Sequence, residues 1–379
     1  MNNPATTTPA RLALLERYLE EDPGNLSLLA DACDEAMQAG ASDRAAEHLE
    51  AARRLGALTP EWIARAARIA MARQRWEEAM PLLHRLQELA GDQPAIAHDI
   101  AFVHFSQGEF AACRTALAPW LEQPSAPETC SALQVLWLRA SHHLGAHAEA
   151  AQWAHEQAER ECLQPDAAGV ASLIALDLGD FVRAKVLATQ AMEAAAPLPE
   201  ALLARASVAI AERDLRSAHA LLRRALDLNP QEGRTWSTLG MASLQAQDLP
   251  QARVQFARAT ALMPGHIGTW HGLGWTCLLL QDLPAALAAF HQALSLDPNF
   301  AESHGAVGLA LAQAGRKQEA EPYLARADRL DRGNVTARFA RALADGSKLH
   351  DRAALRDLAA HLLDRPGAFK PRLSDEVDP

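Results

Sequence analysis

Aromatic residues make up only 5% of this 379-residue sequence, and just two of them are tyrosines. Alternating runs of Val, Ile and Thr, which would mark strands, are also missing, so the chain reads as all helix. Nowhere do about 18 apolar residues run together, and the opening MNNPATTTPA has neither a basic start nor an apolar stretch. These absences argue against membrane insertion and predict a soluble, cytoplasmic protein. Five cysteines (Cys33, Cys113, Cys130, Cys162, Cys277) form no CxxC pair and are odd in number. A disulfide framework and a zinc knuckle are therefore not expected. GxGxxG, GxxxxGK[ST] and GxSxG are all absent, so no cofactor is called for. Positive charge is scarce too: 36 Lys and Arg against 47 Asp and Glu give a net charge of -11, which disfavours nucleic acid as a partner. The deficit is concentrated in residues 1 to 164, with 13 basic against 23 acidic residues, leaving 23 against 24 for the rest. A basic partner could be drawn to the N-terminal half, although a solvated acidic face is the simpler account.

What the sequence does contain is a repeat. In residues 233 to 266, Trp236, Leu239, Gly240, Ala252, Phe256, Ala259 and Pro264 stand at positions 4, 7, 8, 20, 24, 27 and 32 of a 34-residue unit. Residues 267 to 300 place Trp270, Leu273, Gly274, Ala286, Phe290, Ala293 and Pro298 at the same positions, and 199 to 232 repeat the second half with Ala218, Leu222, Ala225 and Pro230. Further units begin at 26, 60, 94, 131, 165 and 301. Position 20 stays small throughout them (Ala45, Ala79, Cys113, Ala150, Ala184, Ala320), and position 15 is Gly40, Gly108, Gly145, Gly179 and Gly315. One step, from 94 to 131, is 37 residues long, and the segment QPSAPETC (123 to 130) supplies the extra length as a loop.

This pattern resembles the tetratricopeptide repeat family in both period and residue type. The resemblance implies an all-α, right-handed superhelical solenoid of antiparallel helix pairs, about nine repeats long. Small residues let two helices approach closely, so Gly240 is expected to face Ala252 while Trp236 and Phe256 fill the surrounding gaps. Phe256→Ala should cost roughly 3 to 5 kcal/mol. The domain plan that follows is an N-terminal capping helix in 1–25, repeats in 26–130 and 131–334, a degenerate capping repeat in 335–363 and a flexible tail in 364–379.

In the resembled family, positions 2, 5, 9 and 12 of each first helix line a concave groove. Carried over by position, the expected partner-binding residues are Met37, Arg68, Met71, His98, Phe102, Phe105, Arg139, His142, Leu173, Leu176, Met241, Leu244, His271, Trp275 and Leu278. The Lys and Asn clamp of the carboxylate-gripping members is not matched, since positions 5 and 9 hold Ala30 and Asp34, Ala64 and Arg68, His98 and Phe102. An apolar groove with adaptable methionines implies a protein or peptide partner that offers an apolar or amphipathic segment. A tightly curled array could instead use some of these side chains as core, and the tail, through Phe369 and Leu373, could fill the groove itself.

Chemistry is weakly signalled. His142, His143 and His147 cluster at one turn, but no carboxylate or thiol stands at matching helical spacing, so no metal is expected. Cys33, Cys113 and Cys277 occupy small packing positions, and pairs such as Glu77 and Glu78 fall on solvated faces. The expected function is a non-catalytic scaffold or adaptor of a bacterial-style assembly, in keeping with the Arg- and Ala-rich usage of a GC-rich genome. The alternatives are a chaperone for a secreted or assembly client and an accessory subunit of a transferase. Oligomeric state is not readable.

Overall fold

The computed structural model describes residues 8–123, 126–194, 196–344 and 352–363, and among these residues there are helices and turns but no strand. The chain divides into two compact units, Met1–Ala167 and Ala168–Pro379. Unit 1 contains α1 (Thr8–Glu21), α2 (Leu26–Gln38), α3 (Ser42–Arg54), α4 (Pro60–Ala72), α5 (Trp76–Ala90), α6 (Pro94–Ser106), α7 (Phe110–Leu117), α8 (Pro127–His143) and α9 (His147–Glu159). The division falls inside α10 (Pro165–Asp177). Unit 2 continues with α11 (Phe181–Ala191), α12 (Pro199–Ala211), α13 (Leu215–Leu228), α14 (Gly233–Gln245), α15 (Leu249–Leu262), α16 (Ile267–Leu279), α17 (Leu283–Leu296), α18 (Ala301–Gln313), α19 (Lys317–Leu330), α20 (Val335–Ala344) and α21 (Arg352–Leu363). Within each unit, consecutive helices pack as hairpins, and each hairpin packs on the next.

The hairpin turn follows from backbone chemistry at position 15. Gly40, Gly108, Gly145, Gly179 and Gly315 all have φ between +71° and +79°. Where the repeat lacks glycine, the same slot is still left-handed: Gln74, Arg213, Gln247 and Gln281 have φ of +55° to +64°. Each turn closes the same way, with the next residue's N–H donating five residues back, as from Ala41 to the Ala36 carbonyl (2.8 Å) and from Asp248 to that of Ser243 (2.9 Å). This satisfies carbonyls that a helix end leaves orphaned. In unit 2 four of the following helices, α11, α13, α15 and α17, are then capped by an aspartate: Asp180, Asp214, Asp248 and Asp282 accept from the N–H of Arg183, Ser217, Gln251 and Ala285.

Packing inside the hairpins corrects one expectation. The glycine at position 8 seats the large side chain at position 24 rather than facing position 20. A Cβ on Gly240 would stand 3.0 Å from the Phe256 ring, one on Gly274 2.4 Å from Phe290, and one on Gly308 2.3 Å from Leu324. The position-4 residue looks the other way. Trp236 and Trp270 donate their indole N–H to the carbonyls of Pro230 (2.9 Å) and Pro264 (2.8 Å), and His304 Nε2 donates to Pro298 (2.9 Å). Each of these bonds ties a first helix to the proline turn that precedes it, which explains why Trp and Pro recur together.

At the C-terminal end, α20 packs chiefly on α18 and more lightly on α19, the reverse of first helices such as α14 and α16, which rest mainly on the second helix before them. Helix α21 instead lies against α16, and Leu355, Leu358, Ala359 and Leu362 join one apolar core with Trp275, Leu278, Leu309, Ala312 and Leu343. Phe369 and Leu373 lie outside the described residues.

Candidate partner-binding faces

The first helices of unit 1 carry an apolar stripe that stays partly open. At positions 9 and 12, Met37, Met71 and Phe105 are half-buried, while Phe102 is 39% exposed. Phe102 is the only exposed phenylalanine or tryptophan among the described residues. Its ring is nonetheless fixed, with His98 stacked at 6.5 Å between centroids and Trp76 edge-on at 6.2 Å. Phe105 is held by Phe110 (5.3 Å) and His143 (5.4 Å), which stack on one another at 4.6 Å. Burial, followed by the neighbouring His142 and Arg139, lowers the His143 pKa, so a neutral ring suits its place between two phenylalanines. Trp76 and Phe110 were not singled out from the sequence, and His143 was noted only as one of the clustered histidines, because all three sit outside the four groove positions.

Charges on this face are mostly neutralised in place. Asp34 accepts from Arg65 Nη2 at 2.7 Å and from Arg68 Nη2 at 3.1 Å, joining α2 to α4. Arg68 keeps half of its side chain exposed, and Arg139 and His142 are half-buried. His147 Nε2 stands 3.2 Å from the His142 carbonyl, and the two rings lie 5.0 Å apart.

The equivalent positions of unit 2 are closed. His271, Trp275 and Leu278 are completely buried, Leu244 and Leu173 nearly so, and Leu176 and Met241 are half-buried. Trp275 and Leu278 share their core with α21, and His271 Nε2 pairs with Ser303 Oγ at 2.9 Å between the rings of Phe290 and Phe300. The structure thus buries five of the expected contact residues: Leu173, Leu244, His271, Trp275 and Leu278. Repeat position alone carried no sign of this, since the helix that covers α16 comes from about 80 residues further along the chain.

Unit 1 also holds a cavity of about 480 Å³ among α7, α8 and α9, lined by Arg114, Leu121, Trp137, Leu144, Glu149 and Trp153. The two indoles are 4.7 Å apart, and the Arg114 guanidinium lies 4.8 Å over Trp137 while pairing with Glu149. Trp137 stands at position 7, which Leu239 and Leu273 fill in later hairpins.

The Cys33 and Cys113 thiols are buried packing groups. Burial, then Asp34, raises Cys33 to about 11, and burial alone raises Cys113 to about 12. Both stay protonated near neutral pH.

Family models described as tetratricopeptide repeat match residues 209–274 and 278–335. Among solved structures, one described as "MamA MSR-1 C2" is 24% identical over 42% of this chain and 92% of its own, with a TM-score of 0.38. Another, "Crystal structure of YrrB: a TPR protein with an unusual peptide-binding site", is 17% identical over 50% of this chain and 98% of its own, with a TM-score of 0.41. No curated protein matches the chain.

Proposed function

This chain is a tetratricopeptide repeat protein, and from that premise we propose that it is a non-catalytic scaffold that holds an apolar or amphipathic segment of a partner protein on the first-helix face of unit 1. The observation that carries this reading is the open stripe of Met37, Met71, Phe102 and Phe105. Phe102 supplies a rigid aromatic anchor, the type of side chain that dominates interface energetics. The methionines on α2 and α4 adapt to the shape of what they meet. Arg68 and Arg139 flank the stripe and would orient an acidic group on the bound segment.

A chaperone acting on a secreted or assembly client would use the same face, and the methionines suit it. The two readings separate by complex lifetime, long for a scaffold and short for a chaperone.

The test is capture of the partner from native lysate, comparing the intact chain with Phe102→Asp and Met71→Asp together. Phe102 is exposed and Met71 half-buried at the edge of its core, so helical circular dichroism is measured on both proteins first, and the comparison is made with the double variant only where the signal is unchanged. Loss of one dominant partner from the double variant is the expected result. An identical set of captured proteins would remove this face from consideration.

A further inference from the structure

Helix α21 is attached to the rest of unit 2 in an unusual way. A helix that followed α20 as its hairpin partner would pack along α20, yet the substantial packing of α21 is with α16. It presents Leu355, Leu358, Ala359 and Leu362 to the shared core, at spacings of three, four and seven residues, while Ala353, Arg356 and Asp357 face solvent. That is the one-sided pattern of an amphipathic helix lying in a groove. Trp275 and Leu278, at positions 9 and 12 of α16, are fully buried, whereas positions 9 and 12 on the first helices of unit 1 are half-buried or exposed.

We propose that α21 is a resident, displaceable occupant of a second binding face on unit 2, and that this face receives a partner's amphipathic helix with leucines and a small residue in the spacing L-x-x-L-A-x-x-L. The site is distinct from the unit 1 face and does not depend on it. Helix α21 touches its groove along one narrow stripe, while α14 to α19 are locked by hairpin packing on both sides. It is therefore the element of unit 2 that opens first. A tethered helix competes at an effective concentration on the order of millimolar, so an external helix must bind considerably better than α21 itself, or α21 must be released by another event.

The experiment uses the full chain and, as its probe, a fluorescein-labelled peptide with the sequence of residues 350–365. Leu355→Asp with Leu358→Asp should unlatch α21 in the protein, and fluorescence anisotropy should show peptide binding at least about 10-fold tighter than to the unaltered chain. A peptide carrying Leu358→Asp should not bind, and Phe102→Asp in the protein should leave the affinity unchanged, which separates this site from the unit 1 face. Equal binding by the latched and unlatched chains, or binding by neither, overturns the proposal. So does a loss of helical signal larger than α21 can account for, because α21 would then be integral to the fold. Hydrogen exchange on the unaltered protein gives an independent reading: α21 amides should exchange well before those of α16, and equal rates would overturn displacement. A dimer that disappears on unlatching would assign the helix to a second copy and overturn the intramolecular version.

Discussion

Single residues at position 15 show how far the turn geometry is imposed by the repeat. A left-handed conformation costs an ordinary residue roughly 1 to 2 kcal/mol, and glycine avoids that cost. Gln247 and Gln281 nonetheless adopt φ of +61° and +64°, held there by the helix packing on either side. Replacing either by glycine should therefore stabilise the protein, by up to about 1 kcal/mol after glycine's greater unfolded-state entropy is subtracted. Urea denaturation of Gln247→Gly and Gln281→Gly checks this, and a lower midpoint in both would show that these turns are not strained. The glycines at five of these slots were readable from the sequence as turns, but the equivalence of Gln74, Arg213, Gln247 and Gln281 was not, because nothing in glutamine or arginine signals a positive φ.

Helix pairs depend on the fit between position 8 and position 24. The period predicted which helices would pair, and it predicted the starts of α2, α4, α6, α10, α12, α14, α16 and α18 at 26, 60, 94, 165, 199, 233, 267 and 301. Helix α8 begins at Pro127, four residues ahead of its frame position, because proline is favoured at a helix's first position and the extra residues of the 37-residue step join the helix. The contact between small and large residues was legible only in part. The sequence shows that Gly274 and Phe290 recur with their equivalents, but the seating of the ring directly over the glycine is a three-dimensional fact. It leads to a ranking. Gly274→Ala should destabilise by roughly 1 to 3 kcal/mol, since a Cβ 2.4 Å from the Phe290 ring forces the ring to move. Gly240→Ala, where the same distance is 3.0 Å, should cost less. Thermal melts of the two variants test the order, and a larger loss in Gly240→Ala would contradict it.

At the scale of the whole molecule, the two units use the same repeat positions differently. In unit 1 they leave Phe102 open, and in unit 2 they bury Trp275 beneath a helix contributed from the far end of the chain. Side-chain type could not distinguish the two cases, since both stripes read as apolar and aromatic at identical spacing. Only a long-range contact decides between core and contact, and a local period does not encode it.

The pH response of the molecule follows from four partly or wholly desolvated histidines, of which His271 is fully buried, His48 is half-buried, and His143 and His266 keep an exposed side. His48, His143, His266 and His271 all have pKa values lowered first by burial, and His271, which is fully enclosed, falls to about 3. The unfolded chain binds a proton at each of these sites near pH 6.5, while the folded chain resists doing so. Their contribution is thus fully present above about pH 6.5 and is lost as the pH falls toward the folded values. For His271, whose folded value lies near 3, the loss continues across the whole range from about pH 6.5 down to that value. Glu61, Glu212, Asp214 and Glu319, whose pKa values are lowered chiefly by hydrogen bonds from Thr59, Lys185, Ser217 and Arg316, add a second loss once the pH drops below their ordinary range. Stability should therefore decline in two stages on acidification. His271→Gln removes the largest part of the first stage while offering Ser303 a hydrogen-bonding group in place of the imidazole. Urea midpoints measured between pH 7 and pH 5 should fall steeply for the unaltered protein and more gently for this variant. Parallel slopes would place the titration elsewhere and show that His271 accepts a proton in the folded state.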